Sequence, residues 1–262
     1  MLLAIDVGNT DLKLGVFDGE RLAGSWRWST DHAKMADEYA ALLGWSLDQA
    51  QLTFTSIDRT VLCSVVPQLT ATFQQLARRY FGHEVLNVTS AVATSIRLAV
   101  DNPREVGGDR IANATAAAEL YGCPAIVVDF GTATNFDVVS ADGAFVGGSF
   151  APGLMTAVDA LLARAARLHR FDLTPPPRTI GRNTIECLQS GAIYGYVGLV
   201  EGLVRRINGE LDAEAVVIGT GGLIDLIAPE TEAIRVVDRD LTLKGLRILA
   251  ELNADCGGRN AE

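Results

Sequence analysis

What this 262-residue chain has little of narrows its chemistry first. It has three lysines, Lys13, Lys34 and Lys244, and none follows a glycine. The phosphate-binding loop GxxxxGK[ST] is therefore absent, and any use of a nucleoside triphosphate must rest on another fold. The four cysteines (Cys63, Cys123, Cys187, Cys256) lie far apart and form no CxxC pair, and the histidines are His32, His83 and His169. Structural zinc, a His-rich metal centre and a disulfide framework are not expected. Aromatic and Met residues are sparse and scattered, so nothing points to a second cofactor. No run of about 18 apolar residues lacks charge, so no membrane span is expected. The Met1–Ile5 start has no basic n-region and Asp6 cuts its apolar run short, which is unlike a signal peptide. The expected compartment is the cytoplasm. A net charge of −10 without clustered Lys or Arg argues against a nucleic-acid surface. It leaves room for a nucleotide, because backbone N–H groups, helix N-termini and a divalent ion can all hold phosphate.

What is present is a packed α/β composition, 48% hydrophobic and 21% charged, that repeats itself. Residues 6–26 read DVGNTDLKLGVFDGERLAGSW and residues 129–150 read DFGTATNFDVVSADGAFVGGSF. Asp6 aligns with Asp129, Gly8 with Gly131 and Val16 with Val139. After a one-residue insertion, Asp18-Gly19 aligns with Asp142-Gly143, and Gly24-Ser25-Trp26 with Gly148-Ser149-Phe150. The shared plan is a buried strand, an Asp-x-Gly turn, a second strand, an Asp-Gly hairpin and a third strand. Helices are expected over 36–43, 68–80, 111–120, 154–166 and 187–206, and further strands over 60–65, 85–88, 215–218 and 234–237. The expectation is two similar α/β lobes, 1–118 and 119–262, facing each other across a cleft and joined by the helix 111–120. The Gly-rich polar tail 256–262 is expected to fray.

A carboxylate at a strand end followed by glycine suits phosphate chemistry. Glycine lets the backbone turn tightly and approach a ligand. Asn9-Thr10 and Thr132-Ala133-Thr134 offer N–H and hydroxyl donors, and the carboxylate acts through a cation or an activated water. Each turn taken singly also reads as an Asx turn capping a hairpin. A third cluster, Gly219-Thr220-Gly221-Gly222-Leu223, follows an apolar strand and could take an adenine or ribose at the start of the next helix.

With these residues in hand, the chain resembles type III pantothenate kinases, of the acetate-and-sugar-kinase/Hsp70/actin superfamily. Asp6-Val-Gly-Asn-Thr10 is similar to that family's first phosphate motif and Asp129-Phe-Gly-Thr-Ala-Thr134 to its second. Asp101-Asn-Pro103 and Glu105-Val-Gly-Gly-Asp-Arg110 resemble its substrate loop, and this GGDR-type loop separates it from sugar kinases. Gly147–Gly153, Asn183-Thr184, Gly219–Leu223 and Leu243-Lys-Gly-Leu246 match in order. The resemblance implies a duplicated ribonuclease-H-like fold, Mg²⁺-ATP and pantothenate as substrates, a monovalent cation (K⁺ or NH₄⁺) and a homodimer with its sites near the subunit interface. It also implies roles. ATP phosphates would be lined by Asp6, Val7, Gly8, Asn9, Thr10, Asp11, Leu12 and Lys13, with Thr132 also touching ATP. Pantothenate would be held by Val100, Gly107, Gly108, Asp109, Arg110 and Thr184, with Asp109 as catalytic base and Asp129 binding the cation. Three positions depart from the family pattern: Val100 replaces an aromatic, Gly108 stands where alanine is common and Asn135 where threonine is common.

From the residues alone, Asp109 also reads as the N-cap of the helix 111–120, Arg110 as a surface arginine and Asn183-Thr184 as the cap region of the following helix. A regulatory relative acting as an accessory transcription factor is the alternative function. An actin- or Hsp70-like ATPase needs inserted subdomains that this length cannot hold.

Overall fold

The computed structural model describes residues 1–165 and 167–257, the side chains of 255–257 excepted. Most of the expected tail lies outside the described residues. The chain divides into two units. Unit 1 is Met1–Ala116 together with the chain from Leu241 onward, and unit 2 is Ala117–Asp240.

Unit 1 begins with Leu2–Val7 (β1), a run of apolar residues buried on both faces apart from Asp6. Such a run fits the centre of a sheet. Asp11–Asp18 (β2) and Arg21–Ser29 (β3) add to one side antiparallel, while Arg59–Ser64 (β4) and Val85–Asn87 (β5) add to the other in parallel. The strand order is β3-β2-β1-β4-β5. Ala36–Gln49 (α1) and Pro67–Leu76 (α2) cover one face, where Tyr39, Leu43, Leu69 and Phe73 join Leu3, Ile5 and Leu14 in one core. Arg97–Leu98 (β6) precedes Gly108–Tyr121 (α3). The division between units falls inside α3.

Unit 2 repeats the plan. Ala125–Phe130 (β7), Ala133–Val139 (β8) and Ala144–Pro152 (β9) are antiparallel, and Val216–Gly221 (β10) and Val236–Val237 (β11) continue in parallel. Their order, β11-β10-β7-β8-β9, is that of unit 1. Even the burial matches: β1 and β7 are each buried throughout except at the aspartate. Leu154–Arg164 (α4) follows β9, and Thr184–Leu211 (α5) and Ile224–Ile227 (α6) cover the core around Ile126, Val128, Phe136, Ile193 and Val217.

Three expectations change. The repeat is real, but its register differs by one residue. Val16 stands opposite Leu3, and Val138, not Val139, stands opposite Ile126. Gly24 pairs with Val16 and Gly147, not Gly148, pairs with Val138. The reason is compensating loop lengths: the first turn is one residue longer in unit 1 (8–10 against 131–132), and the hairpin is longer in unit 2 (140–143 against 19–20). Because side chains alternate along a strand, a slip of one would exchange the two faces.

Secondly, Leu241–Gly257 forms an unexpected helix, α7. It packs on β1, β2 and β4, so it belongs with unit 1 and not with the second lobe. Gly245 explains the close approach, since a Cβ there would lie 1.9 Å from the carbonyl oxygen of Ala112 on α3. Thirdly, the helix after the Gly219 cluster is the single turn α6. No described helix is long and apolar enough to cross a membrane.

Gly245→Ala forces α7 off α3 and is expected to destabilise the protein by about 1–3 kcal/mol. Urea unfolding monitored by circular dichroism checks this through a lower midpoint at unchanged slope.

Candidate active site

Each sheet ends its central strand in an Asp-x-Gly turn, and the two turns are built alike. In unit 1 the N–H of Gly8 donates to the Asp11 carbonyl at 2.9 Å; in unit 2 that of Gly131 donates to Ala133 at 2.9 Å. The residue after the third strand then pins the turn. Thr30 N–H donates to the Thr10 carbonyl (2.8 Å), and Gly153 N–H donates to the Thr132 carbonyl (3.0 Å). Thr30 adds its hydroxyl, donating to the Gly8 carbonyl at 2.7 Å. On the other turn the Thr156 hydroxyl donates to the Thr132 carbonyl at 2.8 Å. Gly153 must lack a side chain, since a Cβ would meet the carbonyl oxygens of Thr132 and Gly131 at 2.4 and 2.5 Å.

Within unit 1 the row across the sheet places Lys13 and Cys63 on either side of Asp6. Lys13 Nζ is 3.9 Å from Asp6 Oδ2, and the Cys63 thiol donates to Asp6 Oδ1 at 3.3 Å. Burial, then the charges of Asp6 and Asp109, push the Cys63 thiol well above its ordinary range, so it remains a neutral donor. Asp6 and Lys13 are 13% and 19% exposed, which suits a carboxylate kept in place yet open to a ligand. Val7 and Leu12 are fully buried in the core, so at the turn only their backbone is available. Asn9 and Thr10 are exposed at its tip.

The loop 101–110 lies against the same row. Asn102 caps the short turn Pro103–Glu105 through Arg104 N–H, and its amide donates to Glu105 Oε1 at 2.7 Å. The Gly107 carbonyl accepts the first helical bond of α3, from Ile111 at 3.1 Å. Helix α3 therefore starts before Asp109, which is a first-turn residue and not the N-cap. Its Oδ1 accepts the Arg110 N–H at 2.9 Å. A Cβ on Gly108 would lie 2.5 Å from the Val88 carbonyl oxygen and 3.0 Å from Cys63 Cβ. That contact accounts for glycine there, and it sets α3's first turn directly against Cys63. Val100 is half-buried just after β6. Cys63 was not foreseen, because its role depends on the pairing of β4 with β1.

In unit 2, Asp129 lies between Asn135 and Thr220 across the sheet. The glycine cluster divides by function. A Cβ on Gly219 would strike Ile224 and Ile234, so that glycine serves core packing rather than a ligand. Gly221, at φ +94°, lies against Asp129 Oδ1. Gly222 and Leu223 line a cavity of about 1070 Å³ with Met155, Asp159, Phe171 and Asp225. Its 172–174 wall is held by Gln189, whose amide donates to the Asp172 carbonyl and to Thr174, each at 2.9 Å. Thr184 is the exposed first residue of α5, and Asn183 caps that helix through Glu186 N–H at 2.9 Å.

A duplicated sheet with a pinned aspartate turn in each half defines the fold class. Solved structures of that class align along nearly the whole chain. They include component A of the (R)-2-hydroxyglutaryl-CoA dehydratase of Acidaminococcus fermentans (TM-score 0.56, 13% identity, 98% of each chain). MreB 5 of Spiroplasma citri bound to AMPPNP aligns with TM-score 0.55 at 10% identity, over 99% of this chain and 98% of that one. At such identities they show the fold: the acetate-and-sugar-kinase/Hsp70/actin type. Residues 2–206 match the family profile of type III pantothenate kinase. The type III pantothenate kinase of Moorella thermoacetica is 49% identical over 97% of this chain and 100% of its own length. That of a Roseiflexus species is 50% identical over 97% and 99%. The chain belongs to the type III pantothenate kinase family and is a kinase of the transferase class.

Removing the Thr30 hydroxyl loosens the first turn without touching its side chains. Thr30→Val is expected to raise KM for ATP about fivefold, the worth of one hydrogen bond of about 1 kcal/mol, while Thr30→Ser stays near wild type. Steady-state kinetics at varied ATP checks both.

Proposed function

We propose that this chain transfers the γ-phosphoryl group of ATP to the primary hydroxyl of pantothenate in the cytoplasm, giving ADP and 4′-phosphopantothenate, the first step towards coenzyme A. The observation that carries the reading is the Gly107–Arg110 loop, packed through Gly108 on Cys63 and hence beside Asp6. In this reading Asp109 accepts the hydroxyl proton as general base. Its bond from Arg110 N–H fixes the carboxylate through Oδ1. Arg110 pairs with the pantothenate carboxylate as a planar donor, and Gly107 and Gly108 contribute backbone groups to the substrate. Val100 supplies an apolar wall where relatives carry an aromatic, and Thr184 contributes a hydroxyl.

The ATP phosphates are assigned to Asp6–Lys13 and Thr132, with Lys13 countering charge that develops on the transferring group. The adenosine end is assigned to the cavity beside Gly222 and Leu223, which is of ligand size. Magnesium enters with ATP. Among the described residues no cluster of three or more His, Cys, Asp or Glu could cage a metal. A single carboxylate such as Asp6 fits that ion, which is ordinarily shared between one or two carboxylates and the phosphates. Asp129 is assigned to a monovalent cation, K⁺ or NH₄⁺. Gly131 and Gly221 border its Oδ1 with backbone alone, and a Cβ at Gly221 would come within 2.5 Å of that oxygen. A homodimer is supported by the exposed apolar side chains of Phe150 and Leu161 on unit 2.

Asp109→Asn is expected to lower kcat by about 10²–10⁴ while the unfolding curve stays that of the wild type. The measurement is coupled ADP release with pantothenate, Mg²⁺ and K⁺ present. Absence of pantothenate-dependent ADP release from the wild type overturns the reading. Full activity in Asp109→Asn leaves Asp109 only its place at the start of α3.

A further inference from the structure

The two repeats carry equivalent rows across their sheets, and the rows differ on either side of the aspartate. In unit 1 the row is Arg27, Lys13, Asp6 and Cys63 on β3, β2, β1 and β4. In unit 2 it is Phe150, Asn135, Asp129 and Thr220 on β9, β8, β7 and β10. The aspartate is kept. The tethered ammonium of Lys13 becomes the neutral carboxamide of Asn135, and the thiol of Cys63 becomes the hydroxyl of Thr220.

In unit 1 both neighbours engage the carboxylate, Lys13 at Oδ2 and Cys63 at Oδ1. In unit 2 the corresponding oxygens are left over. Asn135 Oδ1 and Thr220 Oγ1 are buried without a hydrogen-bond partner, and Thr220 is 0% exposed. Buried polar atoms are nearly always matched, and an orphan calls for a water or an ion. Residues in register on adjacent strands project to the same face about 5 Å apart, so these two oxygens flank the Asp129 carboxylate. The backbones of Gly221 and Gly131 also border Asp129 Oδ1.

We propose that Thr220 and Asn135 are ligands of the monovalent cation assigned to Asp129, and that this ion stands where the first repeat has the Lys13 ammonium. The donor set fits. A hydroxyl, a carboxamide oxygen and one carboxylate are hard oxygens with a single negative charge, which matches a singly charged ion such as K⁺ better than a divalent one. Nitrogen and sulfur donors, which favour zinc or copper, are absent from the row. The inference rests on the cation assignment made for Asp129 and adds the residues that complete and select for the ion.

Thermal unfolding of the full-length protein, titrated with KCl, NaCl or choline chloride at constant ionic strength, tests it without reference to turnover. Wild type is expected to melt higher in potassium than in choline. Thr220→Val is expected to shift the potassium midpoint about tenfold upward, and Thr220→Ser, which keeps the oxygen, to stay within about twofold. Asn135→Lys rebuilds the row of unit 1 and is expected to melt at one temperature in all three salts. If potassium stabilises Thr220→Val and Asn135→Lys as it does wild type, the proposal is wrong. The cation reading itself survives that result only if Asp129→Asn abolishes the response. If potassium has no effect on wild-type melting, both are overturned, while pantothenate-dependent turnover still judges the kinase reading separately.

Discussion

Everything in the candidate site depends on keeping a carboxylate half-buried on the central strand of a sheet. Withdrawing a charge from water is costly unless partners replace the solvent. The sheet supplies those partners by register: whatever stands at the same level on the neighbouring strands is obliged to serve the carboxylate. In unit 1 that obligation falls on Lys13 and Cys63, one from each side of Asp6. The thiol is an economical choice. It is a weak donor that packs like an apolar group, so it can face Asp6 while its Cβ abuts the backbone of Gly108. A single buried side chain thereby joins the Asp6 strand to the first turn of α3.

The second requirement is that the turn beyond the carboxylate hold its shape when no ligand is present. Both repeats meet it with the same main-chain bond, from the residue after the third strand to the last threonine carbonyl of the turn. Side chains differ around that bond. Thr30 reaches forward to Gly8, whereas Gly153 has no side chain and leaves the second contact to Thr156. What is shared is backbone geometry; what differs is chemistry. That division is expected of a duplicated fold whose halves have taken separate tasks, since the sheet's hydrogen bonds tolerate substitution and the site does not.

Much of this was legible from residues 6–26 and 129–150. An apolar run closed by Asp-x-Gly names a buried strand and its turn, and two such segments name a duplication. The register was not legible, because the two loops differ in length in opposite directions and the aligned letters conceal the offset. Helix α7 escaped notice for another reason. Its apolar residues Leu243, Leu246 and Leu249 are helically spaced, but Gly245 within them reads as a breaker until α3 is seen to need the space. Its place in unit 1 is a long-range fact that no local pattern carries. The same holds for Cys63, an ordinary cysteine in an apolar strand until β4 is paired with β1. Gly219 shows the opposite error: a glycine in a suggestive motif that packs against Ile224 and Ile234.

The contrast between the rows also makes the two halves chemically unlike. Asp6 has the ammonium of Lys13 beside it on a tether. Asp129 has neutral neighbours in register, and two buried oxygens beside it have nothing within the described residues to bind. On the proposed ATP assignment, a fixed ammonium gives the phosphates the same positive charge each time they bind. On the proposed cation assignment, an arrangement of oxygens suits charge supplied from solution. Duplication provided two identical aspartate turns; substitution at the adjacent strand positions, Lys13 against Asn135 and Cys63 against Thr220, made them electrostatically unlike while leaving each sheet's hydrogen bonding unchanged.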